Sequence, residues 1–220
     1  MKYLKLLVRG FNNRSIKIDV LFIALVYFTG FLGINYLDSS YSSVFIKTSF
    51  VSILIPLCFY FIRTKPSSEE YLILLLVYFM TFVLECLGVN YGCLFGNYHY
   101  GESLGLKIFG VPLLIGANWL LLALTARQVI GNWIKNRWLI MLGASLLMVL
   151  IDVVIEPVAT KLDFWDWENN IIPLSNYRDW FIIGFIGQLL LVKFQLNKLM
   201  FKWSLSYLFL LAVFFLSFYI

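Results

Sequence analysis

Histidine and cysteine are nearly missing from this chain. His99 is the one histidine, and Cys58, Cys86 and Cys93 are the three cysteines among 220 residues. So odd and scattered a set supports neither a disulfide framework nor a metal site, and the cysteines read as small buried residues. Charge is scarce as well, at 13 % of residues. With 61 % hydrophobic and 19 % aromatic residues, an ordinary soluble domain is excluded. Residues 203–220, the last apolar run, contain no lysine. That removes a seven-span retinal photoreceptor, which needs a Schiff-base lysine there. No internal repeat and no low-complexity tract stands out.

What the chain has in abundance is apolar runs of spanning length. They predict an all-α polytopic membrane protein, a single domain over 1–220 with about seven transmembrane helices. The spans fall near 19–37, 44–62, 71–89, 111–130, 138–158, 180–194 and 203–220, the sixth being the shortest. Residues 1–18 are polar and basic, and no Ala-x-Ala cleavage signal follows, so the first run reads as a helix and not as a removable leader. Pro56 is expected to kink the second span.

A net charge of +5 would suggest nucleic acid in a soluble chain. Here the basic residues sit in short segments between apolar runs, so orientation explains them and no nucleic-acid partner is expected. Placing the N-terminus in the cytoplasm leaves thirteen Lys and Arg inside and four outside, namely Lys47, Lys107, Lys161 and Arg178. The expected topology is N-in and C-out.

That orientation gathers the unusual residues on one side. The stretch from Glu85 to Pro112 carries six glycines interleaved with Tyr91, Tyr98, His99 and Tyr100. It predicts a structured glycine- and aromatic-rich outer loop, with NYHYGESLGLKIFG reading as a hairpin about a glycine turn. Glu85 lies near the outer end of the third span. Asp152 and Glu156 lie near the outer end of the fifth, spaced i,i+4 on one helix face. Carboxylates in lipid are costly and mark functional sites by default. Two acids so close cannot both ionise cheaply in an apolar site, which leaves one to hold a proton, as acid/base chemistry needs.

Blander readings stand beside these. Glu85 also reads as a helix-end glutamate reaching water, and the pair as a helix end at the headgroups. A lone His99 is more often a hydrogen-bonded loop residue, and Trp119, Trp165, Trp167 and Trp180 fit an interfacial aromatic belt. Buried acids also build transporter relays, although no inverted repeat accompanies them here. A magnesium-dependent prenyltransferase would want a second acidic cluster and more outer basic residues.

The run ECLGVNYGCLFGNYHY, then GVP and Trp119, then DVVIEPVA, FWDW and IPLSNYRDW, resembles the membrane carotenoid-biosynthesis proteins of the bisanhydrobacterioruberin hydratase type. The resemblance extends from the third span to the sixth, and more loosely to membrane lycopene cyclases. It implies a cofactor-independent carotenoid 1,2-hydratase, a hydro-lyase without a metal, in the cytoplasmic membrane of a bacterium or archaeon. It implies an acyclic carotenoid in the bilayer as substrate, lipid around it, and other enzymes of the pathway as partners. The catalytic candidates are Glu85, Asp152 and Glu156, with Glu85 or Asp152 as acid and Glu156 orienting water as base. The substrate-lining candidates are Tyr91, Tyr98, His99, Tyr100, Trp119, Trp165, Trp167 and Asn176. A cyclase would share the protonation and let an internal double bond capture the cation.

Overall fold

The computed structural model describes residues 2–194 and 196–219. Eight helices carry the fold. They are α1 (Lys2–Tyr36), α2 (Ser39–Lys47), α3 (Val51–Thr64), α4 (Ser68–Tyr91), α5 (Leu113–Trp133), α6 (Arg137–Ala159), α7 (Leu174–Leu190) and α8 (Lys198–Leu216). Among the described residues, six stretches are long and apolar enough to cross a membrane, and α2 with α3 forms one of them. The architecture is an all-α polytopic membrane fold.

The helix ends follow local chemistry. Ser67 accepts the Glu70 N–H while Glu70 reaches back to the Ser67 N–H, a reciprocal cap that starts α4. Gly92, at φ +63°, ends it in the left-handed region. Asn136 caps the start of α6 with its side chain alone, accepting from the Trp138 and Leu139 N–H groups. The second span breaks between Lys47 and Val51, where the Thr48 hydroxyl turns back to the Val44 carbonyl at 2.8 Å. Pro56 lies within α3, past that break. The first helix also runs further than expected, continuing through the basic segment to Lys2.

The sixth span needs a correction of place. It starts at Leu174, not near 180, because Asn176 and Asp179 face inward and are bonded there. Its 17 residues give about 25 Å of helix. Asn176 meets α6 at one end, and Gln188 donates to the Ala123 carbonyl at the other. α7 is not one of the six stretches above, and its Gln188 meets α5 at its middle, at Ala123.

The helices cross in alternation. Arg63, ending α3, pairs with buried Asp19 of α1 through two bonds of 2.6 and 2.7 Å. Asn197, before α8, donates to Gln128 late in α5, and Tyr219, after α8, donates to the Val154 carbonyl late in α6. The start of α1 and the end of α8 therefore lie at opposite ends of the bundle.

At the centre stands α5, buried at fifteen positions. Lipid tails are as apolar as leucine, so close packing must hold such a helix in place. Gly116 shows how tight it is, since a Cβ there would meet the Tyr78 ring at 2.9 Å. The span Ser39–Thr64 is the least enclosed, only 11 % buried. This corrects the expectation for the cysteines. Cys58 and Cys93 are exposed on the chain's surface and Cys86 is half-buried, all three free.

Above the helices lie four short strands, β1 (Tyr98–Tyr100), β2 (Lys107–Ile108), β3 (Val111–Pro112) and β4 (Trp165–Trp167). The expected hairpin does not close on itself. β1 pairs antiparallel with β4, from the other outer connection, matching Tyr98 to Trp167, His99 to Asp166 and Tyr100 to Trp165. β2 pairs instead with β3 around Phe109 and Gly110, at φ +52° and +79°, the left-handed turn that suits a two-residue hairpin.

Candidate active site

Glu85 reaches the interior because α4 buries one stripe, Leu74, Val77, Thr81, Phe82, Glu85 and Gly88, at helical spacing. One turn later, Gly88 lets the following loop fold back onto the helix. A Cβ there would stand 2.9 Å from the Phe95 ring and 3.1 Å from the Tyr98 hydroxyl. Phe95 itself is left-handed, at φ +64°. Buried Asp179 accepts its N–H at 2.7 Å, and Ser175 donates to its carbonyl at 2.9 Å. The loop so pinned feeds β1, whose alternation points Tyr98 and Tyr100 down onto the helix.

Three donors converge on Glu85. Tyr98 and Tyr100 give their hydroxyls to Oε2 at 2.5 and 2.8 Å, and Trp119 of α5 gives its N–H to Oε1 at 2.7 Å. Burial pushes both tyrosine hydroxyls well above their usual range. They stay neutral and keep their hydrogens.

Glu156 has a matching set. Trp165 and Trp167 of β4 donate to Oε2 at 3.1 and 2.6 Å, and Asn176 of α7 donates to Oε1 at 2.9 Å. The Asn176 amide also reaches Asp152 Oδ2, at 2.8 Å. Asp152 is 0 % exposed, and its Oδ1 is buried without a partner among the described residues.

The two acids share one plan, used twice. A helix carries the acid near its outer end, and a strand of the form aromatic-x-aromatic returns two donors to one oxygen. The next helix then supplies the third donor. The first copy is α4–β1–α5 and the second α6–β4–α7, with β1 and β4 antiparallel about the His99–Asp166 pair. This corrects the expectation that no repeat is present. Glu85 is followed by donors 13, 15 and 34 residues later. For Glu156 the distances are 9, 11 and 20. The β2–β3 hairpin interrupts the first copy only.

Between the acids is a small cavity of ≈ 20 Å³, about enough for one water. Glu85, Glu156 and Asn176 line it, with Tyr98, Tyr100, Trp119, Trp165 and Trp167. Phe95, Ile115, Asn118 and Trp180 complete the wall. Its faces are aromatic. Trp119 and Trp180 stack with centroids 3.8 Å apart, and Tyr98 lies 5.1 Å from Trp167.

The remaining candidates lie elsewhere. Asp152 sits behind Glu156, joined to it through Asn176, and does not line the cavity. Tyr91 is 77 % exposed at the end of α4. His99 points to the outer face, its side chain 75 % exposed and Nε2 3.7 Å from Asp166. The pleat explains it, since Tyr98 and Tyr100 face inward and the residue between them cannot. Sequence reasoning passed over Phe95, Ile115 and Asn118, and weighed Trp180 only as an interfacial aromatic. Asn118, a lone amide beside Trp119 in an apolar run, was the readable sign.

The family described as carotenoid biosynthesis protein matches residues 42–220, which hold every residue of this cavity. Bisanhydrobacterioruberin hydratase of Haloarcula japonica is 29 % identical over 120 residues, covering 49 % of this chain. The matched segment is 39 % of that protein's own length. No solved structure matches the chain.

Proposed function

The chain belongs to the carotenoid biosynthesis protein family, and we propose that it hydrates the terminal C1–C2 double bond of an acyclic carotenoid held in the bilayer. The observation that carries this reading is the cavity itself. Two carboxyl groups, each held by three hydrogen-bond donors, face a space for about one water between aromatic walls. The Haloarcula japonica relative is named a hydratase, which agrees.

The chemistry balances without a cofactor. A carboxylic acid gives its proton to C2 of the trisubstituted alkene, and the π electrons form the new C–H bond. A tertiary cation remains at C1. Water adds its oxygen there, and a carboxylate takes the proton that the oxonium loses. The product is a tertiary alcohol, one water heavier. Aromatic faces such as Trp119 and Trp180 stabilise the passing positive charge. Asp152 and Asn176 hold Glu156 in place from behind.

The test is pigment analysis after expression in cells that accumulate an acyclic carotenoid. A more polar product heavier by one water is the expected result. An isomer of unchanged mass would show that an internal double bond, not water, captures the cation. No change in any acyclic pigment would sink the reading.

A further inference from the structure

Resting on that reading, we infer that the two half-sites hold opposite protonation states: Glu85 carries the proton given to the alkene, and Glu156 is the carboxylate that accepts the proton of the attacking water. The argument lies in which neighbours can accept a hydrogen bond and which cannot.

Indole N–H groups only donate. Glu156 Oε2 faces two of them, from Trp165 and Trp167. A proton on that oxygen would point at two other protons and break both bonds. Oε1 accepts from the Asn176 amide, which offers its second hydrogen to Asp152. Every hydrogen-bond partner of Glu156 is thus a donor suited to an anion.

Glu85 is surrounded differently. Its Oε2 meets two phenolic hydroxyls, and each can donate or accept. A proton on Oε2 therefore finds an acceptor in Tyr98 or Tyr100 by rotation of one hydroxyl. Its Oε1 can stay a carbonyl oxygen, still accepting the one donor-only neighbour, Trp119. Glu85 is satisfied in both states, as a group that gives and regains a proton must be. Between turnovers the proton has to pass from Glu156 back to Glu85. The two line one cavity with room for about one water, so the path is short.

The repeated plan makes the contrast pointed. At equivalent places β1 supplies Tyr-x-Tyr and β4 supplies Trp-x-Trp. The architecture is the same, and the exchange of phenol for indole decides which half holds the proton.

Infrared spectroscopy of the purified protein in lipid nanodiscs tests this without substrate. A protonated carboxyl shows a C=O stretch that shifts in heavy water, and a carboxylate does not. The band is expected in the unsubstituted protein, absent in Glu85→Gln and present in Glu156→Gln, with Asp152→Asn measured to separate any band of its own. Should Glu85→Gln fold poorly, Tyr98→Phe and Tyr100→Phe serve. Each should shift the band by removing an acceptor, while Trp167→Phe leaves it in place. A band that survives Glu85→Gln and vanishes in Glu156→Gln overturns the assignment, as does a band indifferent to both tyrosines. The readout is independent of turnover. A band assigned to Glu85 with no hydrated pigment would refute the proposed reaction and keep the proton's place.

Discussion

Trp119 lies face to face on Trp180, ring centroids 3.8 Å apart and 16° from parallel, while its own N–H donates to Glu85 at 2.7 Å. A donor bonded to a carboxylate gains electron density in its ring, which strengthens the ring's attraction for a cation. Trp119→Phe keeps an aromatic face but leaves the buried carboxyl short of a donor, a loss of about 1–3 kcal/mol. A tenfold rate change corresponds to about 1.4 kcal/mol, so hydration should fall roughly ten- to hundredfold. Trp180→Phe should be mild and Trp180→Leu severe. Initial rates of hydrated pigment per folded protein would show the order, and equal losses for Trp180→Phe and Trp180→Leu would remove the aromatic role.

The acids make a second graded series. Glu85→Gln and Glu156→Gln keep shape but cannot deliver or accept the proton, and loss of such a group costs about 10²–10⁴ in rate. Asp152→Asn should cost less, near tenfold, because Asp152 only shares the Asn176 amide with Glu156. Product yield against membrane-inserted protein is the measure. Near-normal turnover in both glutamate variants would refute the assignment of Glu85 and Glu156.

These residues differ in how plainly the sequence shows them. Glu85, Asp152 and Glu156 are readable because a carboxylate in an apolar run has few structural reasons to be there. Which of the acids face the cavity is not readable, since i,i+4 spacing puts Asp152 and Glu156 on one face and says nothing of depth. Tyr98 and Tyr100 announce a strand by alternation, but a period of two names no partner, and FWDW alone is too short to mark Trp165–Trp167 as the strand that pairs with it. The repeat hides because Tyr-x-Tyr stands opposite Trp-x-Trp and a hairpin lengthens one copy. The start of α7 hides because Asn176 and Asp179, polar in any hydropathy scale, are buried and paired.

The outward residues supply a control. His99→Ala and Tyr91→Ala remove side chains that the cavity does not touch. Surface changes of this kind stay within about 0.5 kcal/mol, so pigment yield should move less than about threefold. A hundredfold loss in His99→Ala at normal protein levels would mean that the outer face takes part in the reaction.

Orientation is testable at the ends of the chain. Thirteen of the seventeen basic residues fall on the side of the N-terminus, which predicts that side to be cytoplasmic. The contacts at the two ends of α8, with Gln128 late in α5 and with Val154 late in α6, put its end at the opposite end of the bundle. Reporter fusions at each terminus should therefore give opposite signals. Both termini on one side would mean that α7 does not cross.

The last prediction concerns the pin behind the cavity. Phe95 holds a left-handed backbone that a bulky residue adopts at a cost of order 1–3 kcal/mol. Asp179 compensates by accepting the Phe95 N–H from the neighbouring helix, and Arg178 beside it pairs with the same carboxylate. Phe95 in turn packs at Gly88 and lies 6.1 Å from Tyr98, so the pin sets where Tyr98 stands above Glu85. Asp179→Asn can still accept that N–H and should lose about tenfold in rate or less. Asp179→Ala orphans a buried N–H, costing about 1–3 kcal/mol, and frees the loop. It should lower the thermal midpoint and slow hydration together, while Arg178→Ala, which removes only an exposed partner, should alter neither much. Thermal unfolding in detergent and pigment yield, read on the same preparations, would separate the cases. An Asp179→Ala protein with normal stability and normal turnover would show that the loop keeps its shape without the pin.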